Sequence, residues 1–162
     1  MILAQSEILR LVKEKKLIEN FDENCLEGAG YDLRVGDFYQ IEGSAQLGEE
    51  TRKLPDAKEI DGKAYSIKPG EYILIKTMEK VNMPNNVVAR VLNRSSVFRS
   101  GCNSIHAFVD PGFSGKLTFG FQNIGTHEFH LEKGAKVAQI IFEEVKGETK
   151  PYNGRYQGGK VV

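Results

Sequence analysis

The chain has only two cysteines, Cys25 and Cys102, far apart and without CxxC spacing. That excludes a disulfide framework and a paired-cysteine zinc site, and makes a reducing cytoplasm the expected compartment. Net charge is missing as well, since 22 Lys and Arg balance 22 Asp and Glu. No broad field gathers nucleic acid or an anionic membrane, so any phosphate must be held by a local site. Long apolar runs are absent, and "MILAQSEILRLVKEKK" meets charge too early for a secretory signal or a membrane span. The three histidines, His106, His127 and His130, lack cysteine or acidic partners at zinc-site spacings. They read as surface or turn residues of a strand pair.

What is present suits one domain, residues 1–162, large enough to bury a core without staples. Ser6 to Lys16 carries Ile8, Leu9 and Val12 on one face, with Glu7 early and basic residues late, as an amphipathic helix does. From Tyr31 onward the chain breaks into short strand-like runs: "YDLRVGDFYQIE", "KAYSI", "EYILIKTME", "VVARVLN", "SIHAFV", "GKLTFGF", "EFHLE" and "AKVAQIIFEEV". Turn residues separate them, as at Lys68-Pro69-Gly70, Asp110-Pro111-Gly112 and Lys133-Gly134. This pattern predicts a mainly β sandwich or closed barrel. Glu42 to Asp61 reads as a polar excursion between strands, and residues 150–162, "KPYNGRYQGGKVV", as a mobile C-terminal arm. Arg155, Tyr156 and Gln157 on that arm suit closure over an anionic ligand.

Several polar positions are candidates for chemistry. Arg94, Ser95 and Ser96 follow an apolar strand, where guanidinium, hydroxyls and backbone N–H groups converge on phosphate or simply form a turn. Asp110 heads an Asp-Pro-Gly turn, a position Asp takes for structural reasons as well as catalytic ones. Asp32 faces either a cation or ligand, or its own backbone. Gln139 precedes an apolar run, where it is costly unless hydrogen-bonded. Gly120 weakens the middle of a strand and so marks a bulge or a close approach.

In order, "YDLRVG", "RSS", "DPGFSGKLTFGFQN", "GAKVAQIIF" and "YNGRYQGG" resemble the motifs of the dUTPase and dCTP deaminase superfamily. The resemblance spans nearly the whole chain and is closest to the archaeal-type dUTPases within the dCTP deaminase family. It implies a jelly-roll-like, distorted β-barrel of the trimeric dUTPase type, with a short N-terminal helix and a flexible C-terminal arm. It also implies a homotrimer with intersubunit sites, and dUTP carried with Mg2+. Asp110 would orient the water that attacks the α-phosphorus, releasing dUMP and pyrophosphate and limiting uracil incorporation into DNA. Arg94, Ser95, Ser96, Gln139, Arg155, Tyr156 and Gln157 would bind phosphate, and Asp32 would hold the metal through water. Ala107, Val109 and Phe113 would contact base and sugar, with uracil read largely by backbone groups between Ser104 and Phe113. Gly120 occupies the position at which deaminating relatives carry a proton-transferring glutamate. The alternatives are a dCTP deaminase, alone or also hydrolysing dUTP, and a non-catalytic nucleotide-binding regulator.

Overall fold

Apolar alternation marks the long central strands, such as Tyr72–Asn82 and Lys136–Glu144, whose inner faces build the core. The computed structural model describes residues 1–162 and begins with α1 (Gln5–Lys15), β1 (Ile18–Glu19), β2 (Leu26–Glu27) and β3 (Gly30–Glu42). Next come β4 (Gln46–Leu47), β5 (Arg52–Lys53), β6 (Asp56–Ile60), β7 (Ala64–Ile67) and β8 (Tyr72–Asn82). β9 (Val87–Asn93) leads into a short helix, α2 (Ser95–Arg99). β10 (Cys102–Ile105), β11 (Phe108–Val109), β12 (Ser114–Asn123), β13 (Phe129–Glu132) and β14 (Lys136–Glu144) follow.

Ten strands share one sheet along the path β10-β12-β8-β3-β14-β9-β11, with β1, β2 and β6 on its flanks. β3 is the strand that curls it. Tyr31 to Arg34 pair with β14, whereas Val35 to Tyr39 pair with β8. The register slips at Gly36, where an added Cβ would lie 2.8 Å from the Thr77 carbonyl oxygen and 2.9 Å from that of Lys76. Any side chain there would force the two strands apart. The outcome is a mainly β, jelly-roll-like distorted barrel with one short N-terminal helix.

β8 displays the two-residue period clearly. Ile73, Ile75, Thr77, Glu79 and Val81 are buried, while Tyr72, Leu74 and Lys76 stand half-exposed on the opposite face. The inner face packs against Tyr31, Leu33, Phe38, Phe121, Ile140 and Phe142. The outer face of β8 and β12 supports the pocket described below.

Three expectations need correction. In α1 the buried residues are Ile8 and Leu11, while Leu9 and Val12 are only half-buried. The helix is tethered on both sides, by Leu3 N–H to the Phe142 carbonyl and by Asn82 N–H to the Leu17 carbonyl, each at 2.9 Å. Those tethers set its rotation. "SIHAFV" is two strands, β10 and β11, interrupted at His106 and Ala107 because the first pairs with β12 and the second with β9. The polar excursion contains the β4–β5 ladder and β6, which adds to β3 from Phe38 to Glu42. Sheet-edge pairing through the backbone needs no apolar alternation.

Candidate functional site

The β12 end of the sheet is opened by a turn. β11 runs into Asp110-Pro111-Gly112, where Gly112 has φ of +76° and Phe113 N–H donates to the Asp110 carbonyl at 3.2 Å. A positive φ at the third position is what a type II turn requires, and glycine adopts it without strain. Asp110 is left exposed. Its turn is held by backbone bonds, which frees the carboxylate for other work.

Beneath this turn lies a pocket of about 510 Å3, in the usual range for small-molecule sites. Ala107, Val109, Asp110, Phe113 and Gly120 line it, so the base, sugar and water-activating candidates share one cavity. The C-terminal segment closes its side. Tyr152 packs edge-on against Phe113 at 5.6 Å, and Gly158 N–H donates to the Ser114 carbonyl at 2.8 Å. An added Cβ on Gly115 would come 2.4 Å from the Gly159 nitrogen, so the two backbones meet only because both residues are glycine. Tyr156 lines the pocket, and its hydroxyl accepts from Arg52 at 2.9 Å. Gln157 instead clips the arm to the turn, accepting from Ser114 N–H at 2.9 Å and donating to the Gly112 carbonyl at 3.0 Å. Arg155 is exposed outside the pocket lining.

The remaining candidates form a second cluster. Asp32 is buried at 1% exposure, with one carboxylate oxygen 3.1 Å from Arg94 and 3.6 Å from Lys136. Burial raises the Asp32 carboxyl pKa, and the Arg94 charge opposes that rise. Gln139 faces Asp32 across the β14–β3 ladder. Ser95 and Ser96 stand exposed in the first turn of α2, whose N–H groups have no intrahelical acceptor. Arg94, Ser95, Ser96, Asp32 and Gln139 are therefore gathered, though away from Asp110. Val109, next to Asp110, pairs with Ala89, and Arg94 lies five residues beyond Ala89 past the other end of β9. Five residues of strand span roughly 17 Å.

Neither cluster makes a magnesium cage. No group of three His, Cys, Asp or Glu side chains is arranged to hold an ion, and the Asp32 carboxylate already faces two cations. A magnesium ion arriving with a triphosphate would be held mainly through phosphate oxygens.

Sequence reasoning missed part of the lining. Tyr72, His106 and Thr118 all face the pocket, and His106 Nε2 and Thr118 Oγ1 are buried without a hydrogen-bond partner. His106 is thus a pocket residue packed at a tilt against Phe119, with ring centroids 4.8 Å apart, while His127 and His130 are exposed as expected. The signal was absent because it depends on the β8–β12 register and the break between β10 and β11.

Burial lowers the His106 pKa from 6.5 to about 4. The unfolded chain therefore binds this proton first, and unfolding free energy falls as pH drops from about 6.5 to about 4. With the partial exposure of the ring allowed for, the loss is about 1–2 kcal/mol. Urea unfolding across that window should show this decline in the wild type and a flatter profile in His106→Asn; parallel profiles would contradict it.

Comparison with known proteins fits this arrangement. Residues 2–145 match the family model described as dCTP deaminase-like. The chain belongs to that family. It is 37% identical to a dCTP deaminase of Thermococcus kodakarensis over 92% of this chain and 90% of that one. It is also 33% identical to a probable deoxyuridine 5′-triphosphate nucleotidohydrolase of Methanothermobacter thermautotrophicus, over 88% and 94% of the two chains. A dUMP-forming dCTP deaminase of Dictyoglomus turgidum is 34% identical over 94% and 85%. Among solved structures, a 2′-deoxycytidine 5′-triphosphate deaminase from Agrobacterium tumefaciens shares the fold with a TM-score of 0.69 at 20% identity. That match covers 87% of this chain but 47% of the larger one. A dUTPase from phage phi11 of S. aureus aligns with a TM-score of 0.54 at 16% identity, over 85% and 95%. No helix of the dCTP deaminase-like chain is long and apolar enough to cross a membrane.

Proposed function

We propose that this member of the dCTP deaminase-like family is a dUTP diphosphatase, hydrolysing dUTP to dUMP and pyrophosphate by water attack at the α-phosphorus. The observation that carries the reading is the unpartnered, exposed Asp110 at the mouth of a pocket whose floor, at Gly120, carries no acid. A carboxylate ionised at neutral pH accepts hydrogen bonds from water and from a sugar hydroxyl together, and so orients the attacking oxygen. Phe113 and the backbone of Ala107 and Val109 hold sugar and base in the pocket. Phosphoryl transfer of this kind is positioning and charge neutralisation, which needs no covalent nucleophile.

The separation of the two clusters supports a shared site in a homotrimer. One subunit supplies Asp110 and the pocket, and a neighbour supplies Arg94, Ser95, Ser96 and Gln139 for the triphosphate. Asp32 then acts through Arg94, whose guanidinium it holds at 3.1 Å. Arg155, Tyr156 and Gln157 belong to an arm able to release and re-form over the phosphates, and the magnesium of the triphosphate supplies charge neutralisation. The single domain works on free nucleotide in the cytoplasm, with no nucleic acid or membrane partner.

A second reading, deamination of dCTP with or without hydrolysis, is favoured by the relatives named dCTP deaminase or its dUMP-forming variant. Product analysis on dUTP and on dCTP separates the two: the hydrolase reading expects dUMP from dUTP and an unchanged dCTP, whereas the deaminase reading expects dUTP or dUMP from dCTP.

A further inference from the structure

The pocket floor is set by how β8 lies on β12. Leu74 pairs with Gly120 and Tyr72 with Gln122, so Tyr72 sits diagonally from Gly120 on the same face. An added Cβ at Gly120 would fall 2.3 Å from the Tyr72 hydroxyl oxygen and 2.8 Å from two ring carbons. The phenol therefore ends directly over the glycine backbone. Any other residue at position 120 would claim that volume.

The hydroxyl is also unspoken for. Burial alone raises the Tyr72 pKa, with no charge or hydrogen bond of the chain contributing. The phenol stays protonated and keeps a hydrogen to donate. His106 Nε2 and Thr118 Oγ1, which line the same pocket, are buried without partners. The two buried, unpartnered groups are costly in isolation, the Tyr72 hydroxyl lines the same cavity beside them, and a ligand with a polar edge offsets that cost. A pyrimidine ring has such an edge.

We propose that the Tyr72 hydroxyl, seated by Gly120, hydrogen-bonds the polar edge of the pyrimidine and is a specificity-determining group of this pocket. The inference rests on the nucleotide reading above. A 4-carbonyl accepts from the phenol directly, whereas a 4-amino group presents a donor and requires the hydroxyl to turn round. Gly120 matters because it gives the ring room to reach this position.

The test uses the full chain, with dUMP, dCMP and inorganic pyrophosphate as calorimetric probes and dUTP for kinetics. Tyr72→Phe should weaken dUMP binding about five- to tenfold, the size expected for one net hydrogen bond. Pyrophosphate binding should stay within twofold, dCMP should lose less than dUMP, and KM for dUTP should rise with kcat nearly kept. Gly120→Ala should reproduce the loss with the phenol chemically intact, because the ring is displaced. Unchanged dUMP binding in Tyr72→Phe, or equal losses for dUMP and dCMP, would overturn this inference and leave the hydrolase reading standing. A wild-type protein that binds neither dUMP nor dUTP would overturn both.

Discussion

Asp110→Asn is expected to lower kcat for dUTP by about a thousandfold, within the range usually contributed by a positioned general base. The substitution keeps size and removes basicity. It should leave the fold alone, because the turn is closed by Phe113 N–H to the Asp110 carbonyl and by Gly112 N–H to the Met83 carbonyl at 3.1 Å. Neither bond uses the side chain. Binding of dUTP should remain within about threefold, since one hydrogen bond to the sugar is all that the amide weakens. Rapid-quench turnover together with calorimetric binding checks both halves. Near-normal turnover would remove Asp110 from the chemistry, and lost binding with lost turnover would make it a ligand-holding residue only.

The second large effect concerns stability and the strand that shapes the barrel. Glu79 on β8 is fully buried, and its carboxylate accepts from Arg34 Nε at 2.7 Å, from Arg34 N–H at 2.9 Å and from the Tyr31 hydroxyl at 3.3 Å. Arg34 extends the network to Asp22 at 3.0 Å and to the Asn20 carbonyl at 2.6 Å. These bonds tie β3 to β8 next to the Gly36 slip, where β3 changes partners. Arg34→Met strands a buried carboxylate with no counter-charge, and such a loss costs about 3–5 kcal/mol. Glu79→Gln should cost clearly less, because the amide oxygen still accepts from the Arg34 amide. Urea midpoints measured at constant slope provide the check. A loss below about 1 kcal/mol for Arg34→Met would mean that water or relaxation compensates Glu79.

Much of this architecture was legible because the chain alternates where one face is buried. β8 and β9 could be marked from "EYILIKTME" and "VVARVLN", and the Asp-Pro-Gly and Lys-Gly segments read as turns do turn, with Gly112 and Gly134 at positive φ. β4, β5 and β6 were hidden because edge strands exposed to water need no apolar period. The site was legible as a set of residue types and illegible as a geometry. Nothing in sequence order says that Arg94 stands along β9 from Asp110, or that Asp32 spends its carboxylate on Arg94 and Lys136. Gly120 was read as a bulge or a close approach by a ligand or another backbone, and what lies against it is instead the Tyr72 side chain. Only the cross-strand register could reveal that partner.

The proposed chemistry of this pocket is hydrolysis at the α-phosphorus without deamination. The most direct measurement incubates the wild-type protein with dUTP and, separately, dCTP in 18O-labelled water with magnesium, then separates the products by mass. The account predicts dUMP carrying the label on its phosphate, unlabelled pyrophosphate, and intact dCTP. Release of ammonia from dCTP, or formation of dUTP or dUMP from it, would contradict the account.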